Sequence, residues 1–180
     1  MPPRGTALNS KGDEDLAKYV DLAGKLGLLD ALIISPEDMC FDIKSLLKCR
    51  WGCDDCYLHR PGQVERGLTY EERLAAIKAY KRVLLVHAHD KRLLNKAVLE
   101  IERTAFLDGH YFAFALCHCG LCLECAALKG EACPQPEKVR PCEQAFGLDV
   151  YQTARRLGLP CQVLQTRDDV PDRYGFVLID

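Results

Sequence analysis

Four cysteines constrain this chain more than anything else in it: Cys119-x2-Cys122-x2-Cys125-x7-Cys133, with Pro134 directly after the last. Three thiols spaced two residues apart on a short loop, plus a fourth in a Cys-Pro pair, suit a cubane [4Fe–4S] cluster, in which each iron takes one thiolate. The bacterial ferredoxin run, C-x2-C-x2-C-x3-C-P, shares the first spacings and the terminal proline. Its last spacing is shorter and its fourth cysteine serves a second cluster, so the pattern argues more strongly for the first three positions than for Cys133. Structural zinc is the rival, since it also takes four thiolates. Zinc knuckles come as separated C-x2-C pairs, whereas this run is continuous, which favours the cube.

The chain holds 11 cysteines in 180 residues. The number is odd, and Met1 to Asp15 is polar, with no apolar stretch of a secretion signal. A disulfide framework is therefore disfavoured, and metal or redox chemistry in a reducing, anaerobic cytoplasm is expected. No apolar run approaches the roughly 20 residues that span a bilayer. A net charge of -2 and a pI near 6.2 argue against a nucleic-acid partner. The basic residues between Arg73 and Arg92 are diluted by Glu71, Glu72 and Asp90 and read as a solvated helix face.

Residues 1–12 are expected to be disordered, and residues 13–180 to form a single domain. Leu16, Tyr19, Val20 and Ala23 have helix spacing, and Ala31 to Ile34 reads as a strand. Thr69 and Glu72 form a capping box that starts a second helix. Arg82 to His89 reads as a buried strand. Leu94, Ala97, Val98, Ile101 and Ala105 mark a further helix that ends near Gly109. Tyr111 to Leu116 reads as a strand that runs straight into the cysteine loop. A helix is expected from Pro141-Cys142-Glu143 to about Leu157, then strands at Gln162 to Leu164 and Phe176 to Ile179. The fold class is α+β or α/β: one mixed sheet, flanking helices, and cysteine-rich loops near 40–62 and 117–134.

In the first loop Cys53-x2-Cys56 is a chelating pair, Cys49 lies one turn earlier, and Cys40 is the natural fourth member. Cys142 or His59 are alternatives. A second cluster, a contribution to a shared site, or zinc all remain open there. Cys117 is either a substitute for Cys119 or a packed thiol at the strand end, and His118 reads as a solvated neighbour. Cys161 reads as a core thiol. His87 and His89 form an H-x-H at a strand end, on one face by alternation. A hydrolase built on that motif needs more ligands on a longer barrel. No phosphate loop, nucleophile elbow or H-E-x-x-H helix is present.

Beyond the cysteines, several stretches carry a family resemblance. These are Cys49-Arg50-Trp51-Gly52-Cys53, the passage from Ile101-Glu102-Arg103 through Phe106-Leu107-Asp108-Gly109-His110-Tyr111-Phe112-Ala113-Phe114, the loop Cys119-Gly120-Leu121-Cys122-Leu123-Glu124-Cys125, and Arg140-Pro141 with Phe146-Gly147-Leu148-Asp149-Val150. From about Leu32 to Asp180 the chain resembles a family of predicted metal-binding proteins of unknown function, found largely in anaerobic bacteria and archaea. The resemblance implies metal binding, with the family's loop cysteines falling on Cys119, Cys122, Cys125 and Cys133 and its N-terminal ones on Cys49 and Cys53. Family members often carry a later Cys-Pro in the first loop. Here Cys56 and His59-Arg60-Pro61-Gly62 stand in that region, and Cys142 is additional to the family pattern.

The expected function is that of an iron–sulfur protein with one or two [4Fe–4S] clusters, exchanging electrons with a redox partner protein or serving a redox enzyme. The alternatives are a structural zinc-binding interaction module and an enzyme with a substrate-accessible cluster.

Overall fold

The computed structural model describes residues 11–51, 67–166 and 168–180. Helix α1 (Lys11–Lys25) leads into strand β1 (Asp30–Ile34), and a short helix α2 (Ser45–Trp51) follows. Next come α3 (Tyr70–Lys78), β2 (Val83–Ala88), the long α4 (Lys91–Leu107) and a brief β3 (Phe114–Leu116). After the cysteine loop, α5 (Val150–Arg156) and β4 (Arg173–Leu178) complete the fold. Of residues 1–12, expected to be disordered, residues 1–10 lie outside the described residues, and Lys11 is the first residue of α1.

The four strands form one sheet in the order β1-β2-β4-β3. The expected α+β class holds, but the sheet is antiparallel at every pairing rather than mixed. The reason is topological. The crossover through α4 lays β2 and β3 in the same direction, and β4 enters between them, antiparallel to both. Residues Val83 to Ala88 of β2 are all buried, as befits a central strand covered on both faces. One face packs Leu84, Val86 and Val177 against Leu16 and Tyr19 of α1 and Leu94, Val98 and Ile101 of α4. The other packs Leu85, Phe176 and Leu178 against Ile77 of α3, Ala154 of α5 and Leu148.

Local chemistry explains the main helix starts. Thr69 Oγ1 accepts from the Glu72 N–H at 3.2 Å, and the Glu72 carboxylate accepts from the Thr69 N–H at 2.8 Å. This is the predicted capping box. Asp90 caps α4 by accepting from the Leu93 N–H at 2.6 Å. The five expected apolar positions of α4, Leu94 through Ala105, are all buried.

Four expectations need correction. The strand expected from Tyr111 shortens to Phe114–Leu116, because the Ala113 N–H closes a turn onto the His110 carbonyl at 2.9 Å. The helix expected from Pro141 to Leu157 divides into a 3-10 turn, Glu143–Phe146, and α5. Gly147 separates them at φ 80°, a left-handed conformation that glycine adopts without penalty, and Asp149 caps the new helix. Gln162 to Leu164 is exposed and joins no strand. Arg73, read as part of a solvated face, is buried, its Nε donating to the Thr69 carbonyl at 3.1 Å and Nη1 donating to that of Ala145. Among the described residues no helix is long and apolar enough to cross a membrane.

Candidate metal centre

Strand β3 delivers the chain to the cysteine loop, and Cys117 follows directly after its last residue. Cys117 belongs to the core between the sheet and α4. Burial pushes its thiol pKa far up, with the Glu143 carboxylate adding to the effect, so it stays protonated and packs. Its burial at the end of β3 favours the packed strand-end thiol of the two readings.

Cys119, Cys122, Cys125 and Cys133 instead line one cavity of about 310 Å³. All four are half-buried. The loop turns at Ala126–Lys129, a 3-10 turn opening at Cys125. Outside it, Lys129 Nζ pairs with the Glu124 carboxylate. Gln135 reaches back, its Nε2 3.9 Å from Cys122 Sγ. The cavity floor is the first turn of α4, where Lys91 and Arg92 complete the lining.

Gly120 sets how closely the loop lies on that helix. A Cβ there would stand 2.6 Å from Lys91 Cγ and 2.8 Å from the Lys91 carbonyl oxygen. Only a residue without a side chain lets the two backbones approach so closely.

The electrostatics of this floor suit an anionic occupant. Four thiolates around a metal centre carry net negative charge, and the N-terminus of α4 with two cations beside it opposes that charge. Arg92 Nε is moreover buried with no acceptor among the described residues. A buried donor without an acceptor is costly, and Arg92 lines a cavity where thiolate or sulfide sulfur would accept from it. The donor set and this orphaned N–H therefore fit a metal–thiolate group.

Behind the loop lies a polar layer that the sequence did not disclose. Glu143 is buried and accepts from its own N–H and that of His118. Burial pushes its carboxyl up to about 7, and those two N–H groups only partly offset the shift. Asn95 donates to the carbonyl of the same residue, His118, at 3.4 Å. Glu143 Oε1 and Asn95 Oδ1 have no hydrogen-bond partner among the described residues.

The first cysteine group is only partly described. Cys53, Cys56 and His59 lie outside the described residues. Cys49, on α2, is buried against Cys142 and Ala145. The Cys49 and Cys142 thiols are hydrogen-bonded to each other, and that contact together with burial holds Cys142 well above the usual thiol range. Cys40 is positioned by its backbone instead: its N–H donates to Thr153 Oγ1 at 2.9 Å, and its carbonyl accepts from the Asp149 N–H at 2.8 Å. Cys161 is partly buried against the core on the α5 side of the sheet, as expected.

Sequence reasoning missed Lys91, Arg92, Asn95 and Glu143. One signal was available. The first turn of α4 holds Lys91 and Arg92 and no acidic residue, contrary to the preference set by the helix dipole.

No curated protein and no solved structure gives a significant match to the chain. Residues 32–179 match the family described as predicted metal-binding protein, DUF2284. That span takes in the described cysteines of both groups, from Cys40 to Cys161, together with the α4 floor, and the chain belongs to this family of predicted metal-binding proteins.

Proposed function

We propose that Cys119, Cys122, Cys125 and Cys133 hold a [4Fe–4S] cluster, and that the protein exchanges electrons with a docked partner or serves a redox enzyme as an accessory. The observation that carries this is the single cavity lined by all four thiols, Lys91 and Arg92. The spacing of the thiols supports the cube over one ion. A tetrahedral zinc site with Zn–S bonds of about 2.3 Å needs sulfurs about 3.8 Å apart. Among the described residues, no three cysteine sulfurs lie within 4.8 Å of one another. A cluster spreads its thiolates over four corners and is served by the wider arrangement.

When bound, such a cluster supplies one-electron transfer. The protein's part is to hold four thiolates, oppose their charge with Lys91 and Arg92, and donate from Arg92 Nε and Gln135 Nε2 toward sulfur. Leu123, 84% exposed on the loop itself, offers an apolar contact to a redox partner. The cysteine-rich composition supports a reducing cytoplasm as the compartment.

Protein prepared without oxygen is expected to be brown, to contain iron and sulfide in equal amounts, and to bleach with dithionite. Cys122→Ser is expected to remove that iron, and Cys53→Ser to remove about half if a second cluster occupies the first group. Colourless protein with stoichiometric zinc overturns the proposal.

A further inference from the structure

At the far end of β2 stand two histidines that the cysteine centre does not use. His87 is the fifth residue of the strand and is 2% exposed, and His89 follows the strand end at 48% exposed. Asp172 immediately precedes β4, the neighbouring strand, so the antiparallel register brings it beside them. One ligand atom from each of His87, His89 and Asp172 lies within 4.8 Å of the other two.

We propose that His87, His89 and Asp172 form a second, cysteine-free binding site for a divalent first-row transition ion of the zinc or ferrous class.

Distances carry the first part of the argument. Two donors bound to one ion by bonds of about 2.1 Å stand about 3.0 Å apart at an octahedral angle and about 3.4 Å apart at a tetrahedral one. His87 Nε2 lies 3.1 Å from Asp172 Oδ1, and His89 Nδ1 lies 3.7 Å from the same oxygen. His89 Nδ1 lies 3.2 Å from the Pro171 carbonyl, to which it can only donate, so an ion takes this nitrogen once the exposed ring turns from that carbonyl and Nδ1 gives up its proton.

The outer contacts carry the second part. Asp30, the cross-strand neighbour of His87 on β1, places Oδ2 2.7 Å from His87 Nδ1. A carboxylate can only accept, so Nδ1 carries the proton and Nε2 is turned toward the site. This carboxylate–histidine arrangement fixes the tautomer and orientation of metal-binding imidazoles. Tyr174 stacks on the same ring, centroids 4.7 Å apart, and holds its plane. The Asp172 carboxylate is anchored as well: Oδ2 accepts from the Gln162 N–H at 3.4 Å, leaving Oδ1 for both histidines.

Charge and donor type carry the third. With Nδ1 committed to Asp30, either a proton or a metal ion must bridge Nε2 and Asp172 Oδ1. A divalent ion there answers two nearby carboxylates, Asp30 and Asp172. Two imidazoles and one carboxylate select first-row transition ions over magnesium or calcium, which require mostly oxygen ligands. Three protein ligands leave further positions open on the side of the half-exposed His89, where water or a small anionic ligand has access.

The test is a Co²⁺ titration of the anaerobically prepared holoprotein, followed by visible absorption and competed with Zn²⁺. The expected result is one further equivalent of Co²⁺ with weak d–d bands and no intense near-ultraviolet thiolate charge transfer. His89→Ala is expected to weaken that binding at least tenfold while its melting temperature without added metal stays that of the parent. Asp172→Asn is expected to act likewise, and should it fail to fold, the His89 variant decides alone. Binding weakened less than tenfold in the His89 variant overturns the site, as does added cobalt that always brings thiolate charge transfer.

Discussion

The guanidinium of Arg140 forks onto the carboxylate of Glu102, with Nη2 2.8 Å from Oε1 and Nε 2.9 Å from Oε2. Glu102 lies on α4, and Arg140 on the stretch that returns from Cys133 toward the core. The same carboxylate accepts from the Ala115 N–H of β3 at 3.1 Å. One side chain thus joins the helix under the cavity, the strand that enters the loop and the arm that carries the fourth cysteine. The bidentate geometry is the strong form of such a contact, and the pair is largely withdrawn from water, the side chains being 22% and 12% exposed.

Removing one partner leaves the other charge partly buried and unpaired, so Glu102→Ala is expected to destabilise the protein by about 2–4 kcal/mol. Replacing Arg140 by Lys keeps the charge but loses the fork, and is expected to cost less. Urea unfolding of both variants measures this. The same variants should release metal to a chelator faster than the parent, because the arm bearing Cys133 is no longer tied to α4. Unchanged release from the Glu102 variant would mean that the arm is held by other contacts.

Gly120 and Gly130 separate two reasons for a glycine in the loop. At Gly120 a methyl group meets the Lys91 carbonyl, which belongs to α4 and cannot retreat. At Gly130, with φ 79°, nothing lies within 4 Å of an added Cβ. Gly130→Ala therefore costs only the left-handed backbone penalty, about 1–2 kcal/mol, with metal content preserved. Gly120→Ala pushes the whole loop off its floor and is expected to lower metal content severalfold. Metal analysis of the two purified variants tests the contrast, and equal metal content in both would sink it.

Much of this architecture was legible beforehand, and the exceptions share a cause. The stripe from Leu94 to Ala105 and the box at Thr69 and Glu72 are local patterns, and each forms where it should. The grouping of Cys119, Cys122 and Cys125 is local too, whereas Cys133 joins them only through the folded arm. What escaped the sequence is decided by packing between distant segments. Arg73 looks like any solvated arginine until the 143–146 turn covers it. Glu143 looks like a helix-start acid until the His118 peptide lies against it. The pairing of Cys49 with Cys142, named beforehand only as one alternative for the first group, spans nearly a hundred residues and follows no spacing rule.

Glu143 makes stability depend on pH in a direction opposite to most carboxylates. Its folded value is pushed up to about 7 from an ordinary 4.5, so between those values the native state keeps a proton that the unfolded chain has released. Stability then falls as pH rises through this window, by on the order of 3 kcal/mol for a fully buried acid. Glu143→Gln mimics the protonated form at every pH and should remove that slope. Urea midpoints at pH 5 and pH 8 are expected to fall for the parent and to stay level for the variant. A parent whose stability is flat across the range would show that Glu143 is already charged in the folded state.

Cys117 and Cys119 stand two residues apart with different fates. Alternation sends the Cys117 side chain into the core beside Val98 and Gly175, where its sulfur is 3.6 Å from the site of a Gly175 Cβ. Cys119 faces the cavity. A buried neutral thiol contributes as a small hydrophobe, so Cys117→Ala is expected to cost about 1–2 kcal/mol and leave the metal content intact. Cys119→Ala removes a proposed ligand but little packing, and is expected to lose metal while the metal-free fold melts close to the parent's. The two variants should thus separate stability from metal content in opposite senses. Paired calorimetry and metal analysis would reveal the reverse pattern if the chain used Cys117 as its first ligand.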